Sequence, residues 1–169
     1  MKEPDILLRA LELEDLDFLY QIENDDRLWE LGVSNVPYSR RVLLDYISSA
    51  SADIYVDNQV RLIVENSRKE QVGIVDLTDF DPRHRRAELG IVIKKEFQGK
   101  GYAKASVARL LQYARNILHL RQIYAIVGVR NQKAAKMLQS VGFEGDNVLK
   151  QWLCCQDGYE DAIFFQYFL

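Results

Sequence analysis

Two cysteines and two histidines among 169 residues remove several classes of protein at once. Cys154 and Cys155 are neighbours in a segment that reads as a strand, where adjacent side chains point to opposite faces, so the pair is not expected to bridge. No disulfide framework and no Cys/His spacing for a metal site is present, so no metal is expected and a reducing, cytoplasmic setting fits best. No apolar run approaches the ~20 residues of a membrane span. The opening Met1-Lys2-Glu3-Pro4-Asp5 is charged and has no signal-peptide core. Excess positive charge is also missing. The net charge of −3 argues against a general nucleic-acid footprint and is compatible with a cationic substrate. Hydrophobic residues make up 48% of the chain, enough for one globular domain over residues 1–169 with a sizeable core.

What is present centres on Gln98-Gly99-Lys100-Gly101-Tyr102-Ala103. An apolar run, Leu89-Gly90-Ile91-Val92-Ile93, precedes it and reads as a buried strand. Ala103, Val107, Leu110, Leu111, Ala114 and Ile117 follow at the spacing of one helix face. Strand, glycine turn and helix start together present backbone N–H groups without internal partners, at the positive end of a helix dipole. Gly99 and Gly101 allow close approach and Lys100 adds a cation, so the expected ligand is a pyrophosphate. The Walker pattern is absent. The dinucleotide pattern fails because Lys104 stands where its third glycine belongs.

The pattern that fits is Gln/Arg-x-x-Gly-x-Gly/Ala, met by Gln98, Gly101 and Ala103. With Arg85-Arg86-Ala87-Glu88-Leu89-Gly90 upstream and Asn131-Gln132-Lys133-Ala134…Gly142-Phe143 downstream, the chain resembles the GNAT superfamily of N-acetyltransferases. Within it, the likeness is to the branch of spermidine/spermine and ribosomal-protein alanine acetyltransferases. The resemblance covers most of the chain and is weak before Arg61.

The element pattern is β-α-α-β-β-β-α-β-α-β-β. Strands are expected at Ile6–Ala10, Arg61–Glu65, Gln71–Leu77, Ala87–Ile93, Ile123–Val127, Leu149–Cys155 and Ala162–Tyr167, the last two about an Asp157-Gly158 turn. Helices are expected over Glu14–Asn24, from Arg40 to about Ser51 behind an Ser39 cap, from Gly101 to about Leu118, and over Gln132–Val141 before Gly142. Leu43, Leu44 and Ile47 are expected to face inward, and Asp25–Tyr38 to form a loop. The resemblance implies that these make a mixed α/β fold with helices on both faces of one sheet.

It also implies acetyl-CoA as co-substrate. The pantetheine arm would lie along the backbone of Leu89, Gly90, Ile91, Val92 and Ile93, and the pyrophosphate on Gln98, Gly99, Lys100, Gly101, Tyr102 and Ala103. Asn131 would reach the arm, and Lys133 or Lys136 the adenosine phosphate end, although a solvated helix face also explains both lysines. Glu88, among apolar residues at the start of a strand, is the candidate base; a surface ion pair with Arg85 or Arg86 is the plainer alternative. Many members of the resembled family carry a tyrosine acid where this chain has Leu138. Asp25, Asp26, Glu30, Asp79 and Asp81 are acids available to a polyamine or simply to solvent, and Trp29 and Tyr38 either line an acceptor site or pack under the loop. Three functions remain open: transfer to a small-molecule amine such as a polyamine, transfer to a peptide N-terminus, and CoA binding without catalysis. A homo-oligomer is left open as well.

Overall fold

A computed structural model of the protein describes residues 3–29, 36–51 and 53–169. In chain order the strands are β1 (Ile6–Ala10), β2 (Val60–Asn66), β3 (Gln71–Asp81), β4 (Arg86–Ile93), β5 (Gln122–Gly128), β6 (Glu144–Cys155) and β7 (Gly158–Phe168). The helices are α1 (Leu16–Glu23), α2 (Asp26–Trp29), α3 (Arg40–Ser49), α4 (Ile54–Asp57), α5 (Tyr102–Asn116) and α6 (Gln132–Val141). The strands form one sheet in the order β1-β2-β3-β4-β5-β7-β6. Every pairing is antiparallel except β4 with β5.

Strand alternation sends successive side chains to two cores. Val64, Val75, Leu77, Ala87, Leu89, Ile123 and Phe165 meet Val107, Leu110 and Leu111 of α5 and Leu138 of α6. On the opposite face Ile63 and Ile74 meet Phe18, Leu19 and Ile22 of α1 and Leu43 and Ile47 of α3. The helices therefore lie on both faces, as expected. The α1/α3 layer packs on residues of β2, β3 and β4, whereas Tyr124 of β5 and Phe164 of β7 line an open cavity.

Helix ends follow local chemistry. The Ser39 Oγ accepts from the Val42 N–H at 3.2 Å, and Gly142 ends α6 in the left-handed region at φ 101°. Some expectations change. Leu44 points outward, 39% exposed, because α3 covers the sheet with a narrow stripe. The segment read as a loop from Asp25 holds α2, and its residues 30–35, with Glu30 and Gly32, lie outside the described residues. The turn α4 is additional: the Asp53 carboxylate caps it from the Tyr55 N–H at 2.8 Å, and four residues are too few to show periodicity. The strand β6 starts at Glu144 rather than Leu149, because an exposed edge strand accepts polar residues such as Asp146 and Asn147.

Candidate active site

The strands β4 and β5 pair over three residues only, Arg86 with Gln122, Ala87 with Ile123 and Glu88 with Tyr124. Beyond that row β4 runs on to Ile93, paired with β3, and β5 runs on to Gly128, paired with β7. The two strands separate there, and the backbone of Leu89, Gly90, Ile91, Val92 and Ile93 borders the gap.

Glu88 stands at the mouth of the gap, half-buried. Alternation puts its neighbours Ala87 and Leu89 in the α5 core, so its side chain takes the opposite, open face. Burial raises its proton affinity, and the nearby Asp79 charge raises it further. Asp79 sits where β3 bulges away from β4 between Thr78 and Asp81, with φ 48°. The Tyr124 hydroxyl donates to the Asp79 carboxylate at 2.6 Å. Burial first, then that bond, holds the phenol's pKa well above its ordinary value. The Tyr124 ring stacks on Phe164 with centroids 5.2 Å apart and planes 20° apart. These groups line a cavity of about 910 Å³ together with Asp81, Arg86, Gln166 and Trp152. The Trp152 side chain is 55% exposed at its rim. Arg86, one alternative partner for Glu88, pairs instead with Asp81 at 3.2 Å.

The glycine turn has the expected shape. Gly99 and Gly101 adopt φ 73° and 87°, conformations that disfavour any side chain. Gly101 precedes α5, and no side chain caps that helix start. A β-carbon on Gly99 would meet nothing within 4 Å, so the turn is open on that side. The Gln98 amide turns back to donate to the Ile93 carbonyl at 2.9 Å, so it braces the end of β4. The Lys100 ammonium lies 5.6 Å from the Phe97 ring centre, and that ring meets Tyr102 edge-on. Ala103 follows in the first turn of α5.

Asn131 caps α6, its side-chain oxygen accepting from the Ala134 N–H at 3.1 Å. Lys133 and Lys136 are exposed on α6. Leu138 is buried, 3% exposed, in the core beneath α5 and has no proton to give. Of the loop acids, Asp79 and Asp81 join Glu88. Asp25 instead pairs with Arg27 at 2.6 Å beside a second cavity of about 420 Å³, lined also by Val92, Lys94 and Gln98. Trp29 and Tyr38 do not line the larger cavity. The Trp29 indole donates to the Glu23 carbonyl, and the Tyr38 N–H donates to Asn24. Sequence reasoning missed Tyr124, Phe164 and Trp152 as cavity residues. Nothing in the sequence singles out Tyr124; the β4–β5 pairing makes it the row partner of Glu88. Among the described residues no group of three or more His, Cys, Asp or Glu side chains is arranged to hold a metal ion.

A parallel pair that parts after one carboxylate, above a glycine turn leading into a helix, defines an acyl-CoA-dependent acyltransferase fold, and residues 5–144 match the family model for the acetyltransferase (GNAT) domain. The chain belongs to that family and is an acetyl-CoA-dependent N-acetyltransferase. It is 32% identical over 157 residues to the spermidine N(1)-acetyltransferase of Vibrio cholerae, covering 93% of this chain and 89% of that one. A putative ribosomal N-acetyltransferase of Bacillus subtilis is 28% identical over 167 residues, covering 95% of this chain and 89% of the relative. The crystal structure of the Vibrio cholerae spermidine enzyme in complex with CoA and spermine superposes with a TM-score of 0.84 at 32% identity, over 96% of this chain and 95% of that one. A dodecameric structure of the Vibrio cholerae enzyme superposes at 0.80, with 32% identity over 96% of this chain and 93% of the other.

Proposed function

We propose that the protein moves the acetyl group of acetyl-CoA onto a primary amine of a polyamine such as spermidine, by direct attack on the thioester. The observation that carries this reading is the placement of Glu88 at the mouth of the β4–β5 gap, in one cavity with Asp79, Asp81 and the rings of Tyr124, Phe164 and Trp152. Carboxylates attract ammonium groups, and aromatic faces hold alkyl chains and cations. The relatives named for spermidine support the same substrate class.

In this reading the pantetheine arm lies in the gap along Leu89, Gly90, Ile91, Val92 and Ile93. Its pyrophosphate rests on Gln98, Gly99, Lys100, Gly101, Tyr102 and Ala103. Asn131 borders the arm, and Lys133 and Lys136 face the adenosine phosphate end. Glu88, directly or through one water, takes a proton from the substrate ammonium; burial tunes a carboxylate towards that task. The freed nitrogen forms the new bond to the carbonyl carbon, the carbon–sulfur bond breaks with sulfur leaving as thiolate, and the nitrogen's second proton passes to water or to the departing sulfur, leaving a neutral amide. With Leu138 on α6, thiolate departure relies on water, another hydroxyl, or the modest basicity of a thiolate, since a thiol's reference pKa is about 8.5.

The test is acetyl-CoA-dependent thiol release across spermidine, spermine, a monoamine, lysine and short peptides. Preferred turnover of polyamines is expected; turnover of peptides alone would overturn the substrate. The peptide alternative keeps one support, the relative named for ribosomal acetylation. We also infer self-association, supported by the dodecameric relative and by exposed Val148, Trp152, Tyr159 and Phe168 on β6 and β7. Sedimentation tests it, and a monomer at micromolar concentration would refute it. Free thiols at Cys154 and Cys155 support placement in the cytoplasm.

A further inference from the structure

Thr78, Glu88 and Tyr124 occupy one row across β3, β4 and β5. Tyr124 reaches from β5 to Asp79 at the end of β3, so its hydroxyl bond spans the row that holds Glu88. Asp79 is fixed from its backbone as well. The next residue, Phe80, donates its N–H to the Asn58 carbonyl at 3.3 Å, and its ring meets Tyr55 of α4 edge-on at 5.0 Å. The bulge thus sets where Asp79 stands, and the phenol sets where its carboxylate points.

We propose that Tyr124 is a positioning residue for the acceptor: it pins the Asp79 carboxylate beside Glu88, and the resulting pair of carboxylates selects amines that bear no carboxylate near the attacking nitrogen. This rests on the acyl-transfer role proposed for Glu88. The cavity then discriminates by charge. A polyamine ammonium is drawn towards both carboxylates, whereas the carboxylate of an α-amino acid meets Asp79 at close range in a partly buried site. The other charged groups facing this cavity are neutralised locally. Arg86 pairs with Asp81 at 3.2 Å, and Asp81 also accepts from the His84 N–H at 2.9 Å. Gln122 and Gln166 complete the polar lining without charge.

The proposal separates from a purely structural brace through Glu88. A negative Asp79 raises the proton affinity of Glu88. Tyr124→Phe keeps the ring on Phe164 but releases Asp79, so Glu88 is expected to titrate at lower pH in the variant. Asp79→Asn is expected to do the same. The double variant should equal Asp79→Asn alone, because the tyrosine acts only through the aspartate. Carboxyl-carbon NMR of Glu88 reads this in the protein without substrate. Kinetically, Tyr124→Phe should lower kcat/KM for spermidine on the order of tenfold, the scale of one charge-assisted hydrogen bond, mainly through KM. Asp79→Asn should narrow the preference for spermidine over an α-amino acid with no second amine, such as glycine. An unmoved Glu88 titration in Tyr124→Phe, or effects that add in the double variant, overturns the proposal. If the wild-type protein turns over no polyamine while the Glu88 titration moves as stated, the polyamine reading fails and the Tyr124–Asp79–Glu88 coupling stands.

Discussion

Glu88 of β4 and Tyr124 of β5 are the last pair formed between those two parallel strands. Past this pair the sheet opens, and in the proposed reading the carboxylate stands where a thioester lying in that gap meets the amine. Position and chemistry coincide at one residue, which makes it the first to test.

Glu88→Gln keeps size and hydrogen bonding but removes basicity. It should lower kcat by about 10²–10⁴, the usual contribution of a general base, while CoA affinity changes little. The acidic limb of the rate profile should disappear with it. Steady-state kinetics across pH, with CoA titration calorimetry, measure both. Full turnover in the variant would remove Glu88 from the proton path.

The same substitution has a consequence for stability. The folded protein binds the Glu88 proton more tightly than the unfolded chain, whose carboxyl titrates near about 4.3. Stability from this group is therefore complete below that pH and is lost as pH rises through its raised folded pKa. At pH 7 the ionised side chain, half-buried beside Asp79, opposes folding. Glu88→Gln should accordingly melt at a higher temperature than wild type at pH 7, and the difference should shrink towards pH 4. Calorimetry at the two pH values checks this, and a lower melting temperature for the variant at pH 7 would contradict it.

The glycine turn gives a binding prediction. Gly101 has φ 87°, and a β-carbon there would sit 3.1 Å from Pro4 Cδ. Gly101→Asp adds strain, bulk and a negative charge where a pyrophosphate is expected. Acetyl-CoA should raise the melting temperature of wild type by an amount that grows with the logarithm of its concentration over Kd, and should not raise that of the variant. An equal shift in both would place the phosphates elsewhere.

Much of the fold was legible because its signals are local. Ser39 caps α3 and Gly142 closes α6 as their residue types require, and the extent of α6 matches Gln132–Val141. The glycine turn announced itself through Gly99 and Gly101. What escaped was set by tertiary geometry. The helix α4 is too short for periodicity, and β6 begins in polar residues because an edge strand has little to bury. Tyr124 reads as an ordinary strand aromatic until β3, β4 and β5 align it with Glu88 and Asp79. Acid count alone could not rank Asp79 above Asp25, because Arg27 neutralises the latter and only the fold brings the former to Glu88.

Leu138 offers the sharpest mechanistic test. It stands where many members of the resembled family carry a tyrosine that protonates the leaving sulfur, and here it is buried in the α5–α6 core. Both Leu138→Phe and Leu138→Tyr add an aromatic ring to a packed site, at a cost of about 1–3 kcal/mol in stability. The two variants differ only by the hydroxyl, so their comparison isolates the proton from the packing. If sulfur now leaves without a dedicated acid, the tyrosine variant should turn over at least as fast as the phenylalanine variant, with any gain bounded by the roughly 10²–10⁴-fold range of general acid catalysis. The gain should fade as pH rises past about 8.5, where a departing thiolate no longer gains from protonation. Rate profiles of both variants from pH 6 to pH 10 report this directly. A tyrosine variant slower than its phenylalanine counterpart throughout would mean that the sulfur is not within reach of position 138, or that another hydroxyl already serves it.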